Sequence, residues 1–249
     1  MKKNWFLLLV MIGAGLVIFS CKDDDNTPPG IPEIVPTQVS LEIQTRVGSE
    51  IYIPGNKYDI NGSQLQIDVA QFYLGNIELD GGNEDYDIDK YFIGGGSENK
   101  FFLDSIKSDR YEIDFGIGVE PDLNSQTTED FTTRADGDPL GIQDPSMHWN
   151  WNTGYKFLRI DGLVDTNGDG TFETAVQYHI GSDAYYKELE SQQQVAIEGE
   201  NDTITLRFDI AGLFKDINIS NGLSTHVGDN KELADKLLDN YTEAFSFNN

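Results

Sequence analysis

The sequence predicts an all-β fold, an antiparallel β-sandwich or barrel-like domain carrying one short C-terminal helix. Three features predict it: apolar residues recur at every second position, Gly/Asn/Asp clusters punctuate those runs, and one late segment changes to helical spacing. Val39, Leu41 and Ile43 make the first run, and Leu65, Ile67 and Val69 make another. Tyr111, Ile113, Phe115, Ile117 and Val119 follow, and later Ile204, Leu206, Phe208 and Ile210. Each reads as a half-buried strand, because successive side chains of a strand face opposite sides. Gly55-Asn56, Asn61-Gly62, Gly81-Gly82, Gly94 to Gly96 and Asn167 to Gly170 supply the turns between them. Near the C-terminus, Leu233, Leu237, Leu238, Tyr241 and Phe245 recur at helical spacing, and Asp229 with Glu232 three residues on reads as a capping box. That apolar stripe is a core face for a helix lying on the sheet.

The first residues read as an export signal rather than as part of the fold. Lys2 and Lys3 precede an apolar run from Trp5 to Phe19 that is short for a membrane span. The run ends at Ile18-Phe19-Ser20-Cys21, so residues 1–21 resemble a bacterial lipoprotein signal with Cys21 as the acylated residue, although Phe19 stands where a small residue is usual. Lys22-Asp23-Asp24-Asp25 resembles the signal that sends Bacteroidetes-type lipoproteins to the outer face of the outer membrane. The expected location is therefore the cell outer membrane, lipid-anchored and surface-exposed. Residues 22–38 contain Pro28, Pro29, Pro32 and Pro36 and read as a disordered tether, which leaves residues 39–249 as the folded domain.

Charge and composition exclude several functions. The 249 residues hold 17 Lys+Arg against 43 Asp+Glu, a net charge of −26; without Lys2 and Lys3 the balance is 15 against 43, or −28. No nucleic acid partner suits such a surface, whereas cations do. At 38% hydrophobic and 11% aromatic, the chain can still bury a core. It carries no G-x-S-x-G, H-E-x-x-H or P-loop motif, and no enzymatic activity is expected. With Cys21 acylated, neither a disulfide nor a Cys-based zinc site can form.

Soft metal ligands are few enough to enumerate. The mature domain offers Met147, His148, His179 and His226 as thioether or imidazole donors, the types that suit copper. In the strand Phe172 to His179, the apolar Phe172, Val176 and Tyr178 share a parity, so His179 points to the other face with Ala175 and Gln177. His148 lies among Met147, Trp149 and Trp151, and His226 just before the predicted helix. Separately, Asp165, Asn167, Asp169, Thr171 and Glu173 place oxygen ligands at alternate positions with Gly170 sixth, as a calcium loop does. The twelfth position is Val176 rather than Glu, so the expectation is a hairpin-tip calcium site completed by Asp161 or another carboxylate.

Several motifs in order resemble one family. Gln71-Phe72-Tyr73-Leu74-Gly75-Asn76-Ile77, Phe115-Gly116-Ile117-Gly118-Val119 with Asn124, Asp138-Pro139-Leu140, the stretch from Met147 to Phe157, and His179-Ile180-Gly181 resemble the MbnP-like proteins, as does Leu233 to Phe247. The resemblance implies a methanobactin-associated, periplasmic type of copper-binding β domain with histidine ligands. In some members a tryptophan oxidised to kynurenine assists, which implies a partner oxidase of the di-haem peroxidase kind. Trp149 and Trp151 are the candidates here. Where some members place a His two residues after the modified Trp, this chain has Trp151 and Thr153. Without copper, the same features describe a calcium-stabilised sandwich that binds glycans or protein partners.

Overall fold

A computed structural model describes residues 35–249, except residue 97, residues 150–153, residue 222 and residue 249. The export segment, Cys21 and Trp151 lie outside the described residues. The strands are β1 (Thr37–Val47), β2 (Glu50–Ile51), β3 (Asn56–Ile60), β4 (Ser63–Gly81), β5 (Tyr86–Ile88), β6 (Phe92–Gly94) and β7 (Lys100–Ile106). They continue with β8 (Asp109–Ile117), β9 (Leu158–Val164), β10 (Thr174–Ile180), β11 (Lys187–Ile197), β12 (Asn201–Asp209) and β13 (Phe245–Asn248). Short helices join them: α1 (Pro121–Asn124), α2 (Thr128–Thr132), α3 (Ile210–Leu213), α4 (Lys231–Asp239) and α5 (Tyr241–Ala244). None among the described residues is long and apolar enough to cross a membrane.

Two sheets form the sandwich. One runs β13-β12-β1-β2 with β7 also on β1, and the other runs β10-β9-β4-β8-β11 with β3, β5 and β6 added along β4. The 19-residue β4 is the spine of the second sheet, and register shifts at Ile67/Val69 and Gly75/Glu78 curl it. Among the strands described, pairing is antiparallel except that β1 and β12 run parallel, Leu41 opposite Ile204. A parallel pair needs a long crossover, and most of the domain intervenes between these two strands.

The alternation read from the sequence fills the space between the sheets. Leu41, Leu65, Ile67, Ile113, Ile117 and Leu206 are fully buried. Phe72 of β4 meets Phe208 of β12 and Phe245 of β13 at 4.8 Å between ring centroids in each case, tying the sheets together.

The C-terminal segment departs from the expected single helix. Helix α4 buries Leu233, Ala234 and Leu237, but its N-cap is Asn230, whose side chain accepts from the Leu233 amide. Asp229 instead accepts from the His226 amide at 2.6 Å. Phe245, expected on the helical stripe, begins β13 and packs against Phe208, with ring centroids 4.7 Å apart. Burial between two aromatic rings outweighs helical propensity at that position.

Candidate metal centre

The β9–β10 hairpin supplies one wall of the site. Its register sets Arg159 opposite His179 and Asp161 opposite Gln177. Leu158, Ile160, Val176, Tyr178 and Ile180 are buried in the core. The intervening Arg159, Asp161, Gln177 and His179 therefore share the other face. Asp161 Oδ1 lies 2.6 Å from His179 Nε2, and its other oxygen accepts from Arg159 Nε and Nη2, also at 2.6 Å. His179 is 4% exposed, and its Nδ1 is buried with no hydrogen-bond partner. Burial pushes the His179 pKa down against the opposing pull of Asp161. With Nε2–H donated to Asp161, a neutral ring keeps its lone pair on Nδ1.

A loop running beside β10 supplies the second imidazole. Thr225 donates its amide to the Gln177 carbonyl at 2.8 Å and accepts from the His179 amide at 2.9 Å. That bridging carries His226 alongside His179, with ring centroids 4.9 Å apart and planes at 86°. His226 Nδ1 lies 2.8 Å from Asp229 Oδ2, and its Nε2 lies 3.2 Å from Gln177 Oε1. Each imidazole thus has a carboxylate on one nitrogen, the arrangement that orients metal-binding histidines.

The third histidine arrives on a hairpin-like turn. Residues 147–149 pair with 154–156 through Lys156 N to Met147 O at 2.7 Å and Trp149 N to Gly154 O at 3.2 Å. Gly154 has φ +94°, and a Cβ there would come within 2.6 Å of Asn124 Oδ1, so a side chain is excluded. Asn124, on α1, in turn accepts from the Tyr155 amide at 2.9 Å and donates to Asp183 at 2.7 Å. His148 stacks on Phe131, centroids 3.8 Å apart, and burial pushes its pKa down to about 4. Its Nε2 is buried without a partner.

His148, His179 and His226 line one cavity of about 480 Å3 together with Asp144, Lys156, Arg159 and Gln177. Met147 does not: it is fully buried in the core, so its thioether belongs to packing rather than to the cavity wall. Trp149 stands edge-on to His179 with centroids 6.2 Å apart. Lys156 Nζ lies 5.7 Å from the Trp149 ring centroid, and burial, reinforced by Arg159, pushes this lysine down to about 8.

The acidic turn lies at the far end of the same hairpin. Carboxylate oxygens of Asp165, Asp169 and Glu173 lie within 4.8 Å of one another. Asp165 accepts from the Gly168 and Gly170 amides, both at 2.7 Å, and Asn167 donates to Asp169 and Glu173 at 3.1 and 3.2 Å. Thr171 is exposed beside them. Asp161, expected to complete this turn, instead pairs with two residues of the cavity wall, His179 and Arg159. The histidines and their carboxylates form no comparable group of three among the described residues. The sequence reading missed Asp161 and Asp229 as partners of the histidines. It also missed Lys156 and Arg159 as cavity residues. The signal for the strand-borne pair was the shared parity of Arg159 and Asp161 in β9.

A sequence profile of the MbnP family matches residues 36–231. This chain belongs to the MbnP family. Among solved structures, this family member resembles MbnP from Methylosinus trichosporium with a TM-score of 0.50 and 14% identity, over 74% of this chain and 79% of that one. At that identity the likeness is one of fold. No curated protein sequence is matched.

Proposed function

We propose that this MbnP-family chain binds copper in the cell envelope, for uptake, storage or delivery, with His179 and His226 as the first ligands. The observation that carries the reading is the pair of imidazoles 4.9 Å apart, each backed by a carboxylate. His179 would ligate through Nδ1, since Asp161 occupies Nε2. His226 would ligate through Nε2 once Gln177 turns aside, since Asp229 holds Nδ1. The buried, unpartnered nitrogens of His179 and His148 fit a soft cation that accepts neutral imidazole. Membership in a family associated with copper supports the same choice.

The test is titration of the soluble domain with Cu(I) against a competing chelator. Submicromolar binding weakened at least tenfold by His179→Ala is expected. Micromolar or weaker binding, unchanged by that substitution, would remove the assignment. Trp149, edge-on to His179, and Trp151 are the candidates for oxidation to kynurenine by a di-haem peroxidase-like partner; the intact mass of protein purified from its native host reads this directly. The anchoring reading adds a lipid at Cys21 and placement at the outer membrane. Cys21→Ser should release the protein from detergent-extracted membranes. A calcium ion at Asp165, Asp169 and Glu173 would neutralise carboxylates that otherwise repel one another and stiffen the hairpin whose strands carry Asp161 and His179.

A further inference from the structure

The histidine cavity holds more positive charge than a metal site uses. Lys156 is 8% exposed, and its Nζ donates to the Ser146 carbonyl at 3.0 Å. Arg159 Nη1 donates to the same oxygen at 2.8 Å, so the two cations meet at one neutral acceptor. Arg159 is matched by Asp161, which also receives His179. Lys156 takes part in no ion pair among the described residues, in a chain with 43 acidic side chains. One of its three ammonium protons serves Ser146, which leaves two for a further acceptor. The carboxylate in the cavity lining, Asp144, is exposed.

Volume points the same way. The cleft of about 480 Å3 lined by both cations has room for a small oxyanion beside the two imidazoles. A buried ammonium is stable when an anion shares its desolvated surroundings. We propose that Lys156, with Arg159, binds a small oxyanion in this cavity, of the class that includes carboxylates, bicarbonate and phosphate. The Lys156 ammonium attracts an oxyanion as a point charge, and Arg159, whose Nε and Nη2 serve Asp161, adds the remaining proton of Nη1. A cation held on the neighbouring imidazoles would strengthen anion binding and be strengthened by it to the same extent. The anion site does not depend on the copper reading, because its donors, Lys156 and Arg159, are not among the proposed copper ligands.

The experiment uses metal-free protein, calorimetry and thermal melting, with acetate, bicarbonate, phosphate and sulfate each compared with chloride at matched ionic strength. At least one oxyanion is expected to bind saturably and raise the melting temperature where chloride does not. Lys156→Gln should weaken that binding at least tenfold, and Lys156→Arg should retain most of it. Oxyanions that all behave as chloride on the wild-type protein would overturn the proposal, and so would undiminished binding by folded Lys156→Gln. The wild-type measurement decides even if the glutamine variant fails to fold. Copper affinity measured in chloride alone tests the metal reading separately.

Discussion

Replacing Asp161 with Asn removes one charge and almost no volume from the position between His179 and Arg159. The carboxylate accepts from His179 Nε2 and twice from Arg159, all at 2.6 Å. Burial opposes its ionisation, yet these partners hold its pKa below the usual carboxylate range. Asn keeps an acceptor for Nε2–H, so the ring stays oriented, but it no longer supports positive charge developing on the imidazole when Nδ1 binds a cation. Loss of an outer-shell partner typically weakens metal binding tenfold to hundredfold, or ~1.4 to 2.7 kcal/mol. Asp161→Asn is expected near tenfold, and Asp161→Ala, which also frees the ring to rotate, near hundredfold. Arg159 loses its counter-ion in both variants, a separate destabilisation of ~1–3 kcal/mol that urea denaturation of the metal-free protein reads on its own. Affinity is measured by Cu(I) competition with a chromogenic chelator. If Asp161→Asn binds within twofold of wild type while His179→Ala is weakened, Asp161 does not orient the ligand. If neither variant differs from wild type, His179 is not a ligand.

Three further outcomes follow from the same structure. His148 is held down to about 4 while an unfolded His titrates near 6.5, so below pH 6.5 the unfolded chain takes up a proton that the folded chain refuses. Stability from this group is complete above pH 6.5 and declines as pH falls toward 4, by ~3 kcal/mol in all; urea midpoints across that window should change less in His148→Phe than in wild type. Calcium should raise the melting temperature of the metal-free domain by several degrees, and a chelator should reverse the change. Asp165→Ala combined with Asp169→Ala should abolish the response, and a response that survives both substitutions would place the ion elsewhere. Phe72→Ala should cost ~3–5 kcal/mol, because the ring is fully buried against Phe208 and Phe245 and its removal opens a cavity between the sheets. A loss below ~1 kcal/mol in the urea midpoint would mean the sheets close over the gap.

What the sequence disclosed about the site follows the line between local and non-local order. The parity of Val176 and Tyr178 was enough to set His179 on the other face, because strand alternation is a property of the backbone alone; Phe172, read as part of the same strand, precedes β10, which begins at Thr174. Asp161 shows the same parity in β9, but which residue it faces depends on the register across residues 165–173, and loop composition does not count register. Its assignment to the acidic turn followed from nearness in sequence, whereas pairing across the hairpin put it beside His179. His226 was harder still. Its position depends on Thr225 bridging to the edge of β10, a contact between segments 46 residues apart.

Asp229 illustrates a competition between two legitimate roles. Asp229 and Asn230 are both good caps by residue type, and the capping-box spacing to Glu232 pointed to Asp229, whereas the helix takes Asn230. Once Asn230 takes the cap, Asp229 is released to bind both the amide and the ring of His226. The helix start and the second imidazole are therefore set by one choice. A substitution that moved the cap to Asp229, such as Asn230→Ala, would draw that carboxylate from His226 and loosen the ligand without touching the cavity. Loss of copper affinity in Asn230→Ala with α4 still formed, seen by Cu(I) competition and circular dichroism, is the expected sign of that coupling. Unchanged affinity would show that Thr225 alone is sufficient to hold the loop.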